Sequence, residues 1–176
     1  MKKVNIGSKF CLYPSLLGVV GCKVEGKANF LLVANYGIVS HQHILVSMNS
    51  HHYSNAGIIK NGSLTINLVD EKMLPKADYV GSVSGAKVDK SEVFSWYDGE
   101  TGAPIIEESP LTLECHVDDI YRIDGFDNFI CSIVAVQVQP EYLKDERTID
   151  YDRLKPILFE SPPYQYLATG RLSAAA

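Results

Sequence analysis

Two polar interruptions of apolar stretches are the part of this sequence best suited to chemistry. Asn35, Tyr36 and Gly37 break the apolar run Phe30-Leu31-Leu32-Val33, and a break of that kind turns backbone donors outward. The second run, Ile44-Leu45-Val46-Ser47-Met48-Asn49, leads into Ser50-His51-His52-Tyr53-Ser54, where the periodicity becomes helical. Ser54 ahead of Asn55-Ala56-Gly57-Ile58-Ile59-Lys60 predicts an N-cap, and Asn61-Gly62 predicts the stop. The first amides of such a helix lack backbone partners and carry the positive end of its dipole. A phosphate could accept from those amides, from the Ser54 hydroxyl and from His52. Taken alone, the feature fits a plain cap on a surface helix better.

The elements that must position these residues are mostly strands. Residues 16–24 are rich in Leu and Val, and Glu25-Gly26-Lys27 predicts a tight turn into the next strand. After the third strand, ending at Asn67, Pro75 predicts the start of a helix over 76–83 that stops near Ser84-Gly85. Trp96, Tyr97 and the stretch 99–102 predict a loop, because Gly, Asp and Thr interrupt any period. That loop could be an aromatic lid or packing at a subunit interface. Alternation at Leu111, Leu113, Cys115 and Val117 predicts a strand over 111–123. Asp124-Gly125 opens a hairpin turn into the β-rich run 129–138, and the tail 142–171 reads as loop. This order favours an antiparallel barrel with helices at its side.

Composition narrows the classes. The length of 176 residues allows one domain with a sizeable core, and a hydrophobic fraction of 46% is ordinary for a soluble globular protein. A net charge of −5 argues against a nucleic-acid partner, which calls for a basic face. The start Met-Lys-Lys-Val-Asn-Ile-Gly lacks the apolar core of a signal peptide, and the longest apolar runs are too short to cross a bilayer. The expectation is a cytoplasmic protein without a membrane partner. Cys11, Cys22, Cys115 and Cys131 form no CxxC pair, so free thiols, three of them buried, are expected. His41, His43, His51 and His52 could be imagined as a metal site. No Asp, Glu or Cys nearby completes a ligand set, and the expectation is no metal, with a surface turn and one phosphate-contacting His52.

Several short motifs acquire meaning from their order. They are Ala28-Asn29; Ala34-Asn35-Tyr36-Gly37-Ile38-Val39-Ser40; Val46-Ser47-Met48-Asn49; His52-Tyr53-Ser54-Asn55-Ala56-Gly57-Ile58; Asn61-Gly62-Ser63-Leu64-Thr65-Ile66-Asn67; and Gly81-Ser82-Val83-Ser84-Gly85 followed by Val88-Asp89-Lys90. In this order, over residues 17–88, the chain resembles the flavin reductase-like family, which includes the flavoredoxins. The resemblance implies a mainly β fold, the FMN-binding split β-barrel, antiparallel and Greek-key-like with a few short flanking helices, as a single domain over 1–176. It implies bound FMN, with Val33, Ala34, Asn35 and Tyr36 along the ring. Ser47, Met48 and Asn49 would meet the ribityl chain and ring edge, His52, Tyr53 and Ser54 the phosphate, and Ser84 and Lys90 the same ligand. It also implies a homodimer, with the flavin near the two-fold interface. The chain departs from the family at Gln42-His43-Ile44, where Asp-Pro-Pro is common, and at Cys131-Ser132-Ile133 in place of Gly-Glu-Val.

Each residue also has a structural reading. Asn35 could cap a strand end, Tyr36 could be core, Ser47 and Asn49 could be the polar face of a strand, and Lys90 could pair with Asp89 in solvent. The functional classes that follow are an FMN-dependent oxidoreductase fed by NADH or NADPH, an FMN electron carrier without nicotinamide turnover, and a barrel for some other phosphorylated ligand. An oxidoreductase would pass its electrons to a flavin, a metal complex or a redox partner protein. No side chain is required as a catalyst when the flavin itself takes the hydride. No Gly-rich dinucleotide fingerprint follows a strand.

Overall fold

A computed structural model describes residues 1–172. In chain order the elements are β1 (Ser15–Leu16), β2 (Gly18–Val24), β3 (Lys27–Val33), β4 (Tyr36–Ile38), β5 (His43–Asn49), α1 (Tyr53–Asn61), β6 (Ser63–Leu68), α2 (Leu74–Ser82), β7 (Trp96–Asp98), β8 (Pro104–Ile106), β9 (Leu111–Ile123), β10 (Phe126–Val138), α3 (Tyr151–Leu154), β11 (Leu158–Glu160) and β12 (Gln165–Leu167). The large sheet is antiparallel, in the order β3-β2-β6-β9-β10-β5-β4.

That order forces the sheet to curl. β3 and β4 are its opposite edges, yet only Ala34 and Asn35 connect them. Seven strands laid flat would separate the edges by roughly 29 Å, whereas so short a connection reaches about 11 Å at most. The sheet therefore bends round into a barrel that is left split near the Ala34-Asn35 corner. Tight turns hold its two longest hairpins. Glu25-Gly26 and Asp124-Gly125 both take positive φ, 52° and 83° in the first and 48° and 78° in the second, the pairing that suits a two-residue hairpin.

Inside the barrel, Val20, Cys22, Met48, Leu64, Ile66, Cys115 and Phe129 form the main core. Outside it, Leu17, Val19 and Phe30 meet Val69, Ala77 and Val80 around α2. β2 is thus covered on both faces, which explains its unbroken apolar sequence. Cys22, Cys115 and Cys131 are buried free thiols and Cys11 is exposed, as anticipated.

Three readings of the sequence need correction. Residues 16–24 are not one strand. Leu17 breaks them, because its N–H turns to donate to Ile157 O (3.0 Å) and β1 joins a separate sheet, β1-β11-β12. The tail is accordingly not all loop. Trp96 and Tyr97 lie in β7 of a small hairpin, β7–β8, and only its turn, which holds the stretch 99–102, is loop. Trp96 packs against the outer core and its Nε1 donates to Ser91 O (2.8 Å), so its ring is spent within its own chain.

Candidate functional site

The split in the barrel opens into a cleft of about 450 Å³. Val33, Ala34 and Asn35 from the β3–β4 corner, Ser47, Met48 and Asn49 from the end of β5, and His52 line it. A hydrogen bond from Ser47 N to Asn35 O (2.9 Å) ties the corner to β5. A second pocket of about 240 Å³ adjoins it and includes His52, Tyr53, Ser54, Ser84 and Lys90. His52 belongs to both, so the two make one groove bent around the start of α1. Eleven of the twelve candidate residues lie along it.

Tyr36 is the exception. It pairs with Val46 across β4 and β5, and residues directly opposite share a face. Val46 points into the core, and Tyr36 goes with it. Its hydroxyl donates to Gly18 O (3.2 Å), and burial pushes its pKa well above the ordinary tyrosine value. Tyr36 is partly buried against the barrel core and does not line the groove.

At the bend, Ser54 is not the N-cap. His52 takes that position, with extended backbone (φ −66°, ψ 132°), and α1 begins at Tyr53. Ser54 is buried inside the first turn because Asn29 Nδ2 donates to its Oγ (2.8 Å), and this tertiary partner overrides the capping preference. The stop at Gly62 is as read, with φ 66° and its N–H on Ile58 O (2.8 Å).

Lys90 is a second correction. It is buried rather than paired in solvent, and its Nζ donates to Phe30 O (3.0 Å) and Val80 O (2.7 Å). Asp89 instead bonds Lys27 (3.0 Å), and hydrogen bonds from Ser91 hold its carboxyl well below the usual range. Burial lowers the Lys90 pKa to about 8. Partial burial, and then the Lys90 charge, lower that of His52. His43 sits at the start of β5 and shares a hydrogen bond with Ser40 Oγ (2.8 Å).

The loop after α2 is pressed onto this end. A Cβ on Gly85 would lie 2.2 Å from Asn29 Oδ1 and 2.8 Å from Tyr53 Cδ1, so only glycine lets the loop close there.

The donors at the bend have protons to spare. Ser54 Oγ accepts from Asn29, which leaves its O–H free to donate. Ser84 Oγ accepts from Ala86 N (3.3 Å), with the same consequence. Two of the three Lys90 protons are used and one remains. Together with the first-turn amides of α1, these suit a phosphate. The cleft beyond is different, since its lining contains no Asp, Glu, Lys or Arg. An uncharged slot leading to a donor-rich pocket is what a flat ring on a phosphorylated chain requires, and FMN fits that description.

Comparison with known proteins gives the lineage. The flavin reductase like domain profile matches residues 10–161. The chain belongs to that family. It is 32% identical to flavoredoxin from Methanosarcina acetivorans, with a TM-score of 0.93 over 100% of this chain and 96% of that one. Flavoredoxin of Desulfovibrio vulgaris (Miyazaki F) is 29% identical, with a TM-score of 0.88 over 99% and 97%. The fold is thus the split β-barrel of this family. Among curated proteins, the FMN reductase (NADH) RutF of Pseudomonas syringae pv. syringae is 25% identical over 118 residues. That alignment covers 65% of this chain and 64% of the relative, so the chain spans less than two thirds of its length.

Several groove residues escaped the sequence reading. Tyr13, Phe126, Phe159 and Tyr164 wall the cleft, and Leu31, Ser82 and Val83 line the pocket. Tyr13, Phe159 and Tyr164 come from the two ends of the chain, far from the motif block. The tyrosine-rich Tyr164-Gln165-Tyr166 was the one visible signal.

Proposed function

We propose that this chain binds FMN in the bent groove and works as an oxidoreductase, taking electrons from NADH or NADPH and passing them to a flavin, a metal complex or a redox partner protein. The observation that carries the reading is the groove itself, neutral at the barrel split and rich in unspent donors at the start of α1. In it, the Ser54 and Ser84 hydroxyls, the Lys90 ammonium and the α1 amides hold the phosphate, and His52 sits at the bend. The β3–β4 corner and the end of β5 orient the ring and limit water around it. Bound FMN would supply the two-electron chemistry. The reading places the protein in the cytoplasm, where reduced nicotinamide is available.

A flavoredoxin-type electron carrier is the second reading. Full-length likeness to two flavoredoxins favours it, as does the lack of a Gly-rich dinucleotide motif. The visible spectrum of the purified protein, followed by anaerobic addition of NADH and NADPH, separates the two. Bleaching by a nicotinamide supports the reductase. Bleaching by dithionite alone supports the carrier, and a protein that takes up no FMN overturns both.

A homodimer is part of the proposal. β10 runs past its last partner on β5 at Ser132, and beyond that point Val134 and Val136 are exposed. A second copy covering this stretch accounts for the apolar surface. Sedimentation equilibrium tests it, with a monomeric result at micromolar concentration counting against it.

A further inference from the structure

His51 joins the two halves of the groove. It lines the phosphate pocket and not the cleft, whereas Asn49 lines the cleft and not the phosphate pocket. Two contacts connect them. His51 N donates to Asn49 Oδ1 (3.0 Å), and His51 Nδ1 lies 3.0 Å from the same oxygen.

These contacts settle how the Asn49 amide is turned. A backbone N–H can only donate, so the atom it meets is the oxygen of the amide and not the nitrogen. An amide oxygen only accepts, so the His51 ring meets it as a donor, with the proton on Nδ1. Asn49 Nδ2 is thereby turned away from His51, and among the described residues it has no acceptor.

The backbone of Asn49 is fixed as well. Its carbonyl accepts from His52 N (3.1 Å) and from Asn55 Nδ2 (3.2 Å), and Phe126 of β10 pairs with it. Asn55 is held in turn by the buried Asp127, which accepts from the same Nδ2 (2.8 Å). A braced residue is left with one uncommitted donor.

Position decides what that donor can meet. Asn49 and His52 are the cleft residues bonded to the bend, so with the phosphate in the pocket and the ring in the cleft, the ring edge that bears the ribityl chain comes nearest to them. The N1–O2 edge adjoins that attachment, and two-electron reduction with uptake of one proton leaves negative charge along it. A hydrogen bond to a charged acceptor is stronger than one to a neutral acceptor, so a fixed amide donor at this edge favours the reduced ring.

We propose that His51 is a positioning residue, which holds the Asn49 amide oxygen and so aims Asn49 Nδ2 at the ring edge where charge gathers, raising the reduction potential of the bound flavin. The inference rests on the FMN reading and adds a determinant of its redox poise.

The first measurement needs no flavin. Long-range proton–nitrogen correlation NMR of the flavin-free protein reports which ring nitrogen of His51 carries the proton in its neutral form, and the expected tautomer is Nδ1–H. The Nε2–H tautomer overturns the inference, since a bare Nδ1 cannot donate to Asn49. FMN is then added to saturation, and its uptake is recorded in the visible spectrum before any potential is measured. Equilibration against a reference dye gives the midpoint potential of the bound flavin in the parent, His51→Ala, Asn49→Ala and the double variant. His51→Ala is expected to shift the equilibrium about fivefold toward oxidised flavin, about 20 mV for two electrons, because the backbone N–H still holds part of the amide's orientation. Asn49→Ala should shift it about tenfold, about 30 mV, and His51→Ala should add nothing in that background. His51→Gln, whose amide can again donate to Asn49 Oδ1, should return to within about twofold of the parent. An unchanged potential in His51→Ala, or a shift of equal size in the Asn49→Ala background, overturns the positioning role while leaving the FMN reading intact. Failure to take up FMN overturns that reading and the inference with it.

Discussion

Two polar regions of this protein contrast in how completely they spend their hydrogen bonds. On one, β6 and β9 carry Thr65, Asn67 and Thr112, all buried, beneath the β7–β8 hairpin. Asn67 Nδ2 donates to Val19 O and Thr65 Oγ1 (both 3.0 Å), while its Oδ1 accepts from Ile106 N (2.9 Å) and Thr112 Oγ1 (2.8 Å). Thr65 in turn donates to Pro104 O (2.6 Å). Nothing is left over. At the groove, Ser54, Ser84 and Lys90 are each held by one or two partners and keep a proton in hand. A saturated network fixes structure, and a network with protons to spare awaits a ligand.

The largest expected effect lies in the saturated region. Asn67→Ala leaves the amide of Ile106, the carbonyl of Val19 and two hydroxyls short of partners, which costs about 3 kcal/mol. Urea unfolding should show that loss, while the folded variant binds FMN within about twofold of the parent. An equal loss of FMN affinity would erase the distinction between the two regions.

Lys90→Met should do the opposite. Removing a desolvated charge offsets much of the cost of leaving Phe30 O and Val80 O without their donor, so the stability loss should be smaller than in Asn67→Ala. FMN affinity should fall about tenfold through loss of a charge-assisted bond to the phosphate. Riboflavin, which lacks the phosphate, should bind parent and variant alike. A matching loss for riboflavin would make Lys90 a prop for the loop and nothing more.

The same lysine predicts a pH dependence. Its pKa in the free protein is lowered to about 8, and a bound phosphate dianion raises it. A group whose pKa rises on binding contributes fully below its free value and loses that contribution as pH climbs past it. FMN affinity should therefore decline above about pH 8, with riboflavin affinity flat over the same range and the decline absent in Lys90→Met.

Legibility in the sequence followed the length of the elements. The hairpin β2–β3 was readable from its Leu- and Val-rich run and β9–β10 from alternation along β9, each with a Gly-containing turn, and α2 was readable from Pro75. β7, β8, β11 and β12 have three residues each, too few to show a period, and their pairing partners decide them. For the groove, the motif block supplied the inner side through contiguous residues. The aromatic wall stayed hidden because Tyr13 and Phe159 meet only when β1 pairs with β11. Tyr36 lies apart from the other candidates for a related reason. The corner at Ala34-Asn35 resets the alternation, and only the pairing with Val46 shows which way the side chain goes. Ser54 was recognised as important for a role it does not have, since capping is a local preference and the Asn29 contact is not.

That last point gives the finest test of the comparison. Ser54→Ala removes a hydroxyl that accepts from Asn29 on one side and, in the FMN reading, donates to phosphate on the other. Asn29 Nδ2 then lacks its acceptor, at a stability cost of about 1 kcal/mol, and FMN affinity falls about threefold while riboflavin is unaffected. Were Ser54 only a helix cap, the stability loss would appear with no difference between the two flavins. Because His52 holds the N-cap position and Asn55 N donates to its backbone carbonyl (3.0 Å), with no part for the Ser54 hydroxyl, the Asn55 amide should show unchanged hydrogen-exchange protection in Ser54→Ala. Loss of protection there would return Ser54 to the capping role that its position in the sequence suggested.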